Sequence, residues 1–434
     1  MEQNTRADSL HRRSRMRGPR PRVRRLAATA LTTLALTGAA CGGNNSDPGP
    51  DREGGVDLTL LGPSRPADGP PVKVGFVSDG STPAFDNTIQ IDAAVAMTKF
   101  LNKHAGGIGG HPIELVTCET AADPGRAADC ATEFIQADVA ITVAGESTAM
   151  GPVWKPLHDA RIPIFVYATT EQSVILDRDS TFALADQIAG LAGMPITVAT
   201  QNHVPKVTVV GIDVPVVTGF YDTVGDQIFG DAGLDLDVVA IPPDQADMTP
   251  QMERIAASGP TEIHIIGGDA FCISAFRGLQ AANFDGPVSV VNQCVSDTSK
   301  TALGDTLEGV YASAPFAIGD HDNPDLRQWE AIVDTYDNND IDLSNSMSST
   351  IYVTMTALSR ALDGLTGNIT PTRLIEKIRS APELPLPAAP GLTFHCDGTA
   401  NPLVPAACTQ GGLMTTLNAQ GNPTLPYKPF GNED

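Results

Sequence analysis

Hydrophobic residues in this chain form short continuous runs, and the segments between the runs show the spacing of amphipathic helices. The run VKVGFVS at 72–78 is followed by TIQIDAAVAMTKFLNKH at 88–104, whose apolar residues fall on one helix face. Further runs at 113–119, 139–145 and 163–168 are likewise separated by helical segments. Continuous apolar strands that alternate with helices indicate a parallel sheet covered on both faces.

The same alternation starts again after residue 185. Apolar runs predict strands, with helices between them, at 206–213, 236–242, 262–268, 287–293 and 309–316. Two consecutive α/β units of similar size predict two Rossmann-like lobes, each a parallel sheet flanked by helices. Ligands of such sheets bind beyond the carboxyl ends of the strands, so a ligand cleft is expected between the lobes.

The first 40 residues have the pattern of an export signal. Residues 1–25 contain nine arginines, and Leu26–Ala40 is an uncharged run too short to span a bilayer. The sequence LTGAAC resembles a bacterial lipobox and marks Cys41 for lipidation, the alternative being an ordinary secretory signal cleaved near GAA. The Gly-, Pro- and Asp-rich residues 41–70 are expected to form a lipid anchor and flexible tether, with order beginning near Val72.

Removal of residues 1–40 makes the chain strongly acidic. Nine of the 28 basic residues and two of the 51 acidic residues lie in this segment, so the remainder carries a net charge near −30. Such a surface repels nucleic acid and anionic lipid headgroups, and we expect no nucleic-acid partner.

The cysteines agree with an oxidising compartment. Without Cys41, six of the seven remain, an even number. Sequence proximity suggests the disulfides Cys118–Cys130, Cys272–Cys294 and Cys396–Cys408. Metal binding is the rival interpretation, but the chain has no CxxC and no His-Cys cluster. Disulfides are therefore the prediction.

No cofactor or metal is expected. The glycine-rich GGIGG at 106–110 superficially resembles a dinucleotide-binding loop. It follows a helix and precedes a strand, the reverse of the order that such a loop requires, and it is predicted to be a turn of glycines at positive φ. No HExxH or similar histidine pairing is present.

The segment AGESTAMG at 144–151 has two interpretations. It follows an apolar strand and precedes a helix, so Ser147 could be the nucleophile of a serine esterase, with His264, His321 or His395 as the base. The same turn presents hydroxyls and helix N-terminal amides to an anionic ligand. Ala149 stands where an esterase elbow has its second glycine, and no glycine run for an oxyanion hole lies upstream, so binding is favoured over catalysis.

Three segments resemble the type I periplasmic binding proteins, specifically the leucine/isoleucine/valine (branched-chain amino-acid) family of ABC transporter substrate-binding lipoproteins. They are VKVGFVSDGSTPAF, AVAMTKFLNKHAGGIGGHPIELVTCETAADPGRAADCATEFI and ADMTPQMERIAASGPTEIHIIGG. The resemblance extends over roughly residues 72–425. It implies two lobes joined by a three-stranded hinge that close on a small solute in the cleft between them.

On this resemblance the lobes are discontinuous in sequence. The first lobe would comprise 72–183 and 315–380, and the second would comprise 184–312 and 390–428. The crossings between them would lie near 182–186, 311–316 and 380–392.

The resemblance also indicates where a ligand would bind. Loops after the first, third and fourth strands would supply Ser81, Ser147 or Thr148, and the turn containing Ala168 and Thr170. Second-lobe candidates follow three further strands; they are Asp213, Asp269, Phe271 and Gln293. The family often has Tyr-Gly just after the position of Asp213, where this chain has Val-Pro-Val-Val, so no side-chain specificity for a ligand is inferred.

The predicted function is that of an exported, non-enzymatic solute-binding protein of an ABC importer. It would bind a small polar solute, an amino acid or related carboxylate or amide, and deliver it to a membrane permease. The protein would be a monomer attached by its lipid anchor to the outer face of the cell membrane. A free-standing ligand-sensing lipoprotein of the same fold is the alternative.

Overall fold

The computed structural model describes residues 57–82, 85–337, 341–343 and 345–431. The predicted signal segment 1–40 and the lipidation residue Cys41 lie outside these ranges. Within the described residues, no helix has the length and apolar character needed to cross a membrane.

The first sheet has five parallel strands in the order β2-β1-β3-β4-β5. Its strands are β1 Val72–Ser78, β2 Ile113–Glu119, β3 Ile141–Ala144, β4 Ile164–Val166 and β5 Thr181–Ala183. The helices between them are α1 Ile89–Phe100, α2 Pro124–Gln136, α3 Met150–Asp159 and α4 Gln172–Ile175.

The next part of the chain alternates in the same way. Its strands are β6 Lys206–Ile212, β7 Asp235–Ile241, β8 Glu262–Ile266, β9 Val288–Val290 and β10 Tyr311–Ala314. Its helices are α5 Met194–Gln201, α6 Pro215–Phe220, α7 Asp226–Asp231, α8 Thr249–Ala256, α9 Asp269–Ala281 and α10 Asp297–Leu303.

The C-terminal part adds two strands to the second sheet and forms a separate two-stranded sheet, β11-β12. It contains α11 Pro324–Tyr336, α12 Ser346–Ala361, α13 Pro371–Ser380, β11 Leu384–Pro385, β12 Thr393–Phe394, β13 Gly412–Thr416 and β14 Lys428–Phe430. The strands β13 and β14 join the second sheet antiparallel, which gives it the order β14-β13-β10-β9-β8-β6-β7. The predicted α/β class, with parallel sheets flanked by helices, is confirmed.

Short irregular helices complete the secondary structure. Turns of 3-10 helix lie at Leu58–Leu61, Asn292–Cys294 and Gly304–Leu307, and π-helical turns at Leu101–Ala105, Ala189–Gly193 and Tyr221–Gly225. Local signals start the regular helices. At α2 the side chain of Asp123 accepts a hydrogen bond from Arg126 N at 2.7 Å, and Pro124 occupies the first helical position.

Both faces of the first sheet are covered. On one face Phe76 and Phe165 pack in a single apolar cluster with residues of α1, α11 and α12. The cluster includes Trp329 and Tyr352, whose ring centroids lie 5.5 Å apart with the ring planes tilted by 31°. On the other face Val77 packs with residues of α2 and α3. Burial on both faces explains why these strands are continuous apolar runs.

The tether predicted to extend to residue 70 is wrong for residues 57–70, because this stretch packs on the first sheet. Leu61 is buried in the core, and Leu60 O accepts a hydrogen bond from Gln328 Nε2 at 2.9 Å. Ala67 N donates to Asn102 O at 2.8 Å, and Gly69 N donates to Gly110 O at 3.0 Å. Backbone hydrogen bonds to residues 102–110 order this segment despite its Pro- and Gly-rich composition.

The assignment of residues 390–408 to the second lobe is also corrected. Phe394 and Cys408 belong to the apolar cluster of the first sheet, and Ala406 is buried on the other face of that sheet. Ala407 pairs with Ala183 at the end of β5, and Cys408 N donates to Ala183 O at 2.8 Å. The chain therefore leaves the first sheet after Cys408, immediately before β13, and not between 380 and 392.

Candidate functional site

The topology gathers the predicted first-sheet residues at one edge. Ser81 follows β1, Ser147 and Thr148 follow β3, and Ala168 and Thr170 follow β4. These three strands are neighbours and run parallel, so the loops at their carboxyl ends lie side by side. Ligands of open parallel sheets bind at this edge.

The second sheet gathers its predicted residues in the same way. Asp213 follows β6, Asp269 and Phe271 follow β8, and Gln293 follows β9. The strands β6, β8 and β9 are also adjacent and parallel. Asp213, Gln293 and the first residue of α9, Asp269, are all accessible to solvent, whereas Phe271 is only 3% exposed and lies in the apolar core.

The loop after β4 of the first sheet contacts the segment that follows β10 of the second sheet. The hydroxyl of Tyr167, directly after β4, donates to Pro315 O, directly after β10, at 2.5 Å. The next residue, Phe316, is already part of the first sheet's core. Ala185 N, just after β5, donates to Tyr167 O at 2.8 Å. The crossings after β5 and β10 therefore leave from the edge at which the candidate loops lie.

A buried carboxylate holds the first-sheet loops together. Asp79 follows β1 directly and is 1% exposed. One of its oxygens accepts a short hydrogen bond from the Thr120 hydroxyl, and the other accepts from Thr148 N at 2.8 Å. Its own amide donates to Glu146 O at 2.8 Å. Asp79 thus ties the loop after β1 to the loops after β2 and β3.

The side chain of Gln90 on α1 also holds the loop after β3 in place through hydrogen bonds. Its Oε1 accepts from Ser78 Oγ at 2.8 Å and from Glu146 N at 3.0 Å. A Cβ on Gly145 would lie 2.6 Å from that oxygen, so the approach of the loop to Gln90 requires glycine there. The position of Glu146 is consequently fixed through its amide and its carbonyl oxygen.

The loop after β1 is closed against a second carboxylate. Ser81 N donates to Glu119 Oε2 at 3.1 Å, and Gly80 adopts a φ of 64°. A Cβ on Gly80 would lie 2.0 Å from the same carboxylate oxygen, so this contact also requires glycine. The predicted ligand-binding hydroxyl of Ser81 remains at the solvent-exposed surface of this turn.

The carboxylate of Glu146 has no protein partner among the described residues. Its side chain reaches solvent, yet protein surrounds the carboxyl group closely enough for burial to raise its pKa. The nearby charge of Asp79 raises the pKa further. No lysine or arginine contributes to this shift.

Three disulfides join the pairs that sequence proximity predicts: Cys118–Cys130, Cys272–Cys294 and Cys396–Cys408. Each lies near a candidate loop or a crossing. Cys272–Cys294 connects the first turn of α9, which carries Asp269, to the loop after β9, which carries Gln293. Cys408 also bonds to the end of β5 through its amide.

The geometry around Ser147 is not that of a catalytic serine. Its Oγ accepts a hydrogen bond from Ala149 N at 3.3 Å, and within the described chain no histidine is bonded to it. His264 is buried in β8, where Nδ1 pairs with Ser289 Oγ at 2.6 Å. His321 and His395 lie beside Glu330 and Asp397.

One group of three potential metal ligands lies elsewhere. Atoms of His158, Asp177 and Asp179 are all within 4.8 Å of one another, at the amino end of β5 and so at the opposite edge of the sheet. The Asp177 carboxylate already accepts hydrogen bonds from Trp154 Nε1 at 3.1 Å and Thr181 Oγ1 at 2.7 Å. These contacts account for its burial without an ion.

Sequence reasoning did not identify Asp79, Gln90 or Glu119 as parts of the site. The available signal was the SDG tripeptide directly after the first apolar run, because an acidic residue before a glycine at a strand end indicates a tight turn.

Comparison with known proteins agrees with this architecture. The sequence profile of the periplasmic binding protein family matches residues 71–410. No curated protein matches the chain. The three similar solved structures described next are 14–18% identical to the chain, a level at which the likeness shows the fold alone.

Three of these structures illustrate the likeness. An extracellular ligand-binding receptor from Verminephrobacter eiseniae is 15% identical with a TM-score of 0.61, covering 82% of this chain and 99% of its own. LivJ, the branched-chain amino acid transporter substrate-binding protein of Streptococcus pneumoniae in complex with isoleucine, is 14% identical with a TM-score of 0.61 and the same coverage. An ABC transporter solute-binding protein from Rhodopseudomonas palustris HaA2, in complex with p-hydroxybenzoic acid, is 18% identical with a TM-score of 0.60, covering 84% and 96%.

The first sheet is parallel, the second is parallel except for β13 and β14, and each carries candidate loops at the carboxyl ends of its parallel strands. This arrangement defines the class of two-sheet solute-binding proteins. The profile covers well over half of the chain. The chain belongs to the periplasmic binding protein family, and its fold is that of the type I members.

Proposed function

We propose that the protein is the extracytoplasmic solute-binding component of an ABC importer. It binds a small polar solute, an amino acid or a related carboxylate or amide, between two lobes that close by hinge motion, and it delivers the solute to a membrane permease. The observation that carries this proposal is the placement of Ser81, Ser147 and Thr170 at the ends of three adjacent parallel strands.

Other features support binding rather than catalysis. Hydroxyl groups and backbone amides at a loop edge hold a polar solute without forming a covalent bond. Ser147 lacks a histidine partner within the described residues, so it has no base to activate it. Two of the structurally similar proteins were solved with a small molecule bound, isoleucine in one and p-hydroxybenzoic acid in the other.

The proposal places the protein outside the cytoplasm as a monomer held to the membrane by a lipid on Cys41. The supporting observations are the arginine-rich start, the apolar run Leu26–Ala40 and the sequence LTGAAC. The three disulfides agree with an oxidising compartment. Mass spectrometry of the membrane-bound form should find diacylglycerol on Cys41, and a chain cleaved without lipid would contradict the anchor.

A thermal-shift panel tests the binding function. The purified chain from residue 42 onward is heated with amino acids, amides, short carboxylates, amines and aromatic acids. A solute at 100 times its dissociation constant should raise the free energy of unfolding by about 2.7 kcal/mol. Absence of stabilisation across all classes, together with ester turnover that Ser147→Ala abolishes, would refute the proposal.

Hinge closure has its own measurement. Small-angle scattering with and without the stabilising solute should show a smaller radius of gyration in the bound form. Tight binding without compaction would retain the solute-binding function and reject the hinge mechanism.

A further inference from the structure

The crossing after β5 joins the helices of the second sheet through the π-helical turn Ala189–Gly193. Met194 N donates to Ala189 O and closes the turn, and α5 follows directly. Pro195 is the second residue of α5 and is buried. Because proline has no N–H, the carbonyl oxygen of Leu191, four residues earlier, lacks the donor that an α-helix would supply. The crossing segment thus carries an acceptor that a donor from another element can fill.

The hydroxyl of Tyr221 is that donor. It donates to Leu191 O at 2.7 Å, and Tyr221 is only 4% exposed. Its ring packs edge-on against Phe220 and beside Phe229, with ring centroids 5.0 Å and 6.3 Å away. Burial raises the pKa of Tyr221 well above its usual range, so the hydroxyl keeps its proton and remains a donor.

The π-helical turn lies between two apolar clusters. One cluster joins the turn and α5 to the last two strands and consists of Ala189, Met194, Val198, Met414 and Phe430. The other joins Ala192 of the turn to Val217 of α6 and to Tyr221. Met414 lies on β13, the strand that follows the last crossing. The turn therefore packs against the strand that receives another crossing on one side and against α6 on the other.

Helix α6 leads from the Tyr221 bond to a candidate solute loop. The loop after β6 carries Asp213 and Val214, and α6 follows it at once. Thr218 N donates to Val214 O at 3.1 Å, and Thr218 Oγ1 donates to the same oxygen at 3.2 Å. Tyr221 comes directly after the last residue of α6. Because α6 has 6 residues and is about 9 Å long, only one short helix separates Tyr221 from the loop.

We propose that Tyr221 is a positioning residue of the hinge. Its bond to Leu191 makes the crossing after β5 move with α6 and with the loop that carries Asp213, so that solute contact with this loop and rotation of the crossing occur together. This inference rests on the proposed hinge mechanism and names an element that transmits the motion. Tyr221 is buried, so it acts through Leu191 and not by touching the solute.

A double-mutant cycle tests the bond to Leu191 in the solute-free chain from residue 42 onward. Tyr221→Phe removes the hydroxyl and keeps the ring, so hydrogen exchange of amides 189–194 should accelerate about fivefold, as expected for the loss of one hydrogen bond. Pro195→Ala restores an N–H four residues after Leu191. In that background, Tyr221→Phe should change exchange of the same amides by less than about twofold.

Distances between the two sheets test the positioning role. Nitroxide labels at Glu114→Cys on β2 and Asp237→Cys on β7, both exposed positions, report the separation of the two proposed lobes by dipolar electron spin resonance. We expect a wider distribution of distances in Tyr221→Phe than in the parent, because the crossing is no longer held to α6. A purely structural bond would lower stability and leave this distribution unchanged.

Tyr336→Phe is the matched control. It also removes a tyrosine hydroxyl bonded at 2.7 Å, in this case to His104 Nε2 among the helices of the first sheet. Exchange at 189–194 and the distribution of distances should both stay as in the parent.

Each outcome decides a separate part of the inference. Unchanged exchange at 189–194 in Tyr221→Phe, or the same acceleration with and without Pro195→Ala, overturns the bond as the anchor of the crossing. Accelerated exchange with an unchanged distribution of distances overturns the positioning role. If Tyr221→Phe alone does not fold, rescue by Pro195→Ala supports the inference and failure of that rescue overturns it. None of these measurements uses a solute, so a failure of solute binding in the thermal-shift panel is a separate result.

Discussion

The carboxylate of Asp79 accepts a hydrogen bond from the backbone amide of Thr148 at 2.8 Å, across 69 residues of sequence. A second oxygen of the same carboxylate accepts from the hydroxyl of Thr120. One buried side chain thereby connects the loops that follow three adjacent strands. The edge of the sheet is held in place before any solute arrives, which reduces the ordering entropy that binding would otherwise cost.

Replacement of Asp79 by alanine should destabilise the protein. The substitution leaves a buried hydroxyl and a partly buried amide without their acceptor, at a cost of about 1–3 kcal/mol for each such group. Chemical denaturation of Asp79→Ala should therefore show a lower unfolding midpoint with an unchanged slope. Asp129→Asn, on the exposed face of α2, is the control and should lie within about 0.5 kcal/mol of the parent. Equal stability of the two variants would mean that Asp79 is not the connecting group.

The Cys272–Cys294 disulfide makes a comparable connection on the second sheet. It closes a loop with a sequence separation of 22 and joins the segments that carry Asp269 and Gln293. Replacement of both cysteines by serine should lower the free energy of unfolding by about 3 kcal/mol, because the unfolded chain regains entropy. Hydrogen exchange at residues 267–271 and 291–296 should also accelerate.

The Cys118–Cys130 pair provides the comparison for this experiment. Its replacement by serines should lower stability by a similar amount while exchange at 267–271 and 291–296 stays as in the parent. Accelerated exchange of those loops in both variants would show a global effect and would contradict a local role for Cys272–Cys294.

Much of the fold could be predicted because the apolar runs in the sequence coincide with strands that are buried in the structure. The runs at 72–78 and 113–119 were predicted as strands and coincide with β1 and β2. Both strands are parallel members of a covered sheet, so burial leaves a continuous apolar signature. A local signal also marks the start of α13, where Pro371 follows the capping residue Thr370.

The fold predictions were wrong where the amino-acid composition of a segment indicates a loop but contacts with distant residues order it. Residues 57–70 are rich in Pro and Gly and were predicted to be a tether, yet their backbone pairs with residues 102–110. Residues 390–408 contain only short apolar stretches. Their position beside the first sheet depends on the pairing of Ala407 with Ala183, and no local sequence pattern indicates this pairing.

The candidate site was predicted only in outline. Alternation of strands and helices places Ser81, Ser147 and Thr170 at one edge without further information. The bond from Thr148 to Asp79 is a contact between distant segments, so the sequence pattern contains no trace of it. Gln90 occupies a buried position on α1 among apolar neighbours, and its role becomes visible only with the loop after β3 in place.

The second sheet contains a buried acid and a buried imidazole joined by one hydroxyl. Ser289 Oγ donates to Glu262 Oε1 and pairs with His264 Nδ1 at 2.6 Å. Burial raises the pKa of Glu262 well above its usual range and lowers the pKa of His264 from 6.5 to about 4. Both groups are therefore favoured in their neutral forms in the folded protein.

The two shifts affect stability with opposite sign. The unfolded chain protonates this histidine below about pH 6.5, so the stability from neutral His264 is lost as pH falls from about 6.5 to about 4. The stability from neutral Glu262 is present below its ordinary pKa of 4.5 and is lost as pH rises above that value. We expect the two slopes to oppose each other between pH 4.5 and pH 6.5.

Single substitutions should separate these slopes. Glu262→Gln keeps an acceptor for Ser289 and removes the loss at higher pH, so its stability relative to the parent should increase as pH rises above 4.5. His264→Gln should be destabilised at neutral pH but should lose less stability than the parent on acidification from 6.5 to 4. Melting temperatures across this range measure both effects, and parallel curves for all three proteins would contradict the shifted pKa values.

Asp186 connects two of the segments that run between the sheets. Its carboxylate accepts from Asn401 Nδ2 at 3.0 Å and from Gly411 N at 3.3 Å, as well as from Ile188 N at 3.1 Å. Asp186 follows β5, while Gly411 directly precedes β13 of the other sheet. Under the proposed hinge mechanism, this carboxylate limits how far the crossings separate.

Asp186→Ala should loosen these segments without unfolding either sheet. The amides of Ile188 and Gly411 lose their acceptor, so their hydrogen exchange should accelerate while amides in β1 and β8 keep their protection. The radius of gyration of the solute-free protein should increase, because fewer contacts oppose opening. Asp237→Ala, an exposed acid on β7, should leave exchange and scattering unchanged. If Asp186→Ala gives the same exchange at Gly411 as the parent, the carboxylate does not restrain the crossing, and the hinge must be limited by other contacts such as Tyr167 to Pro315.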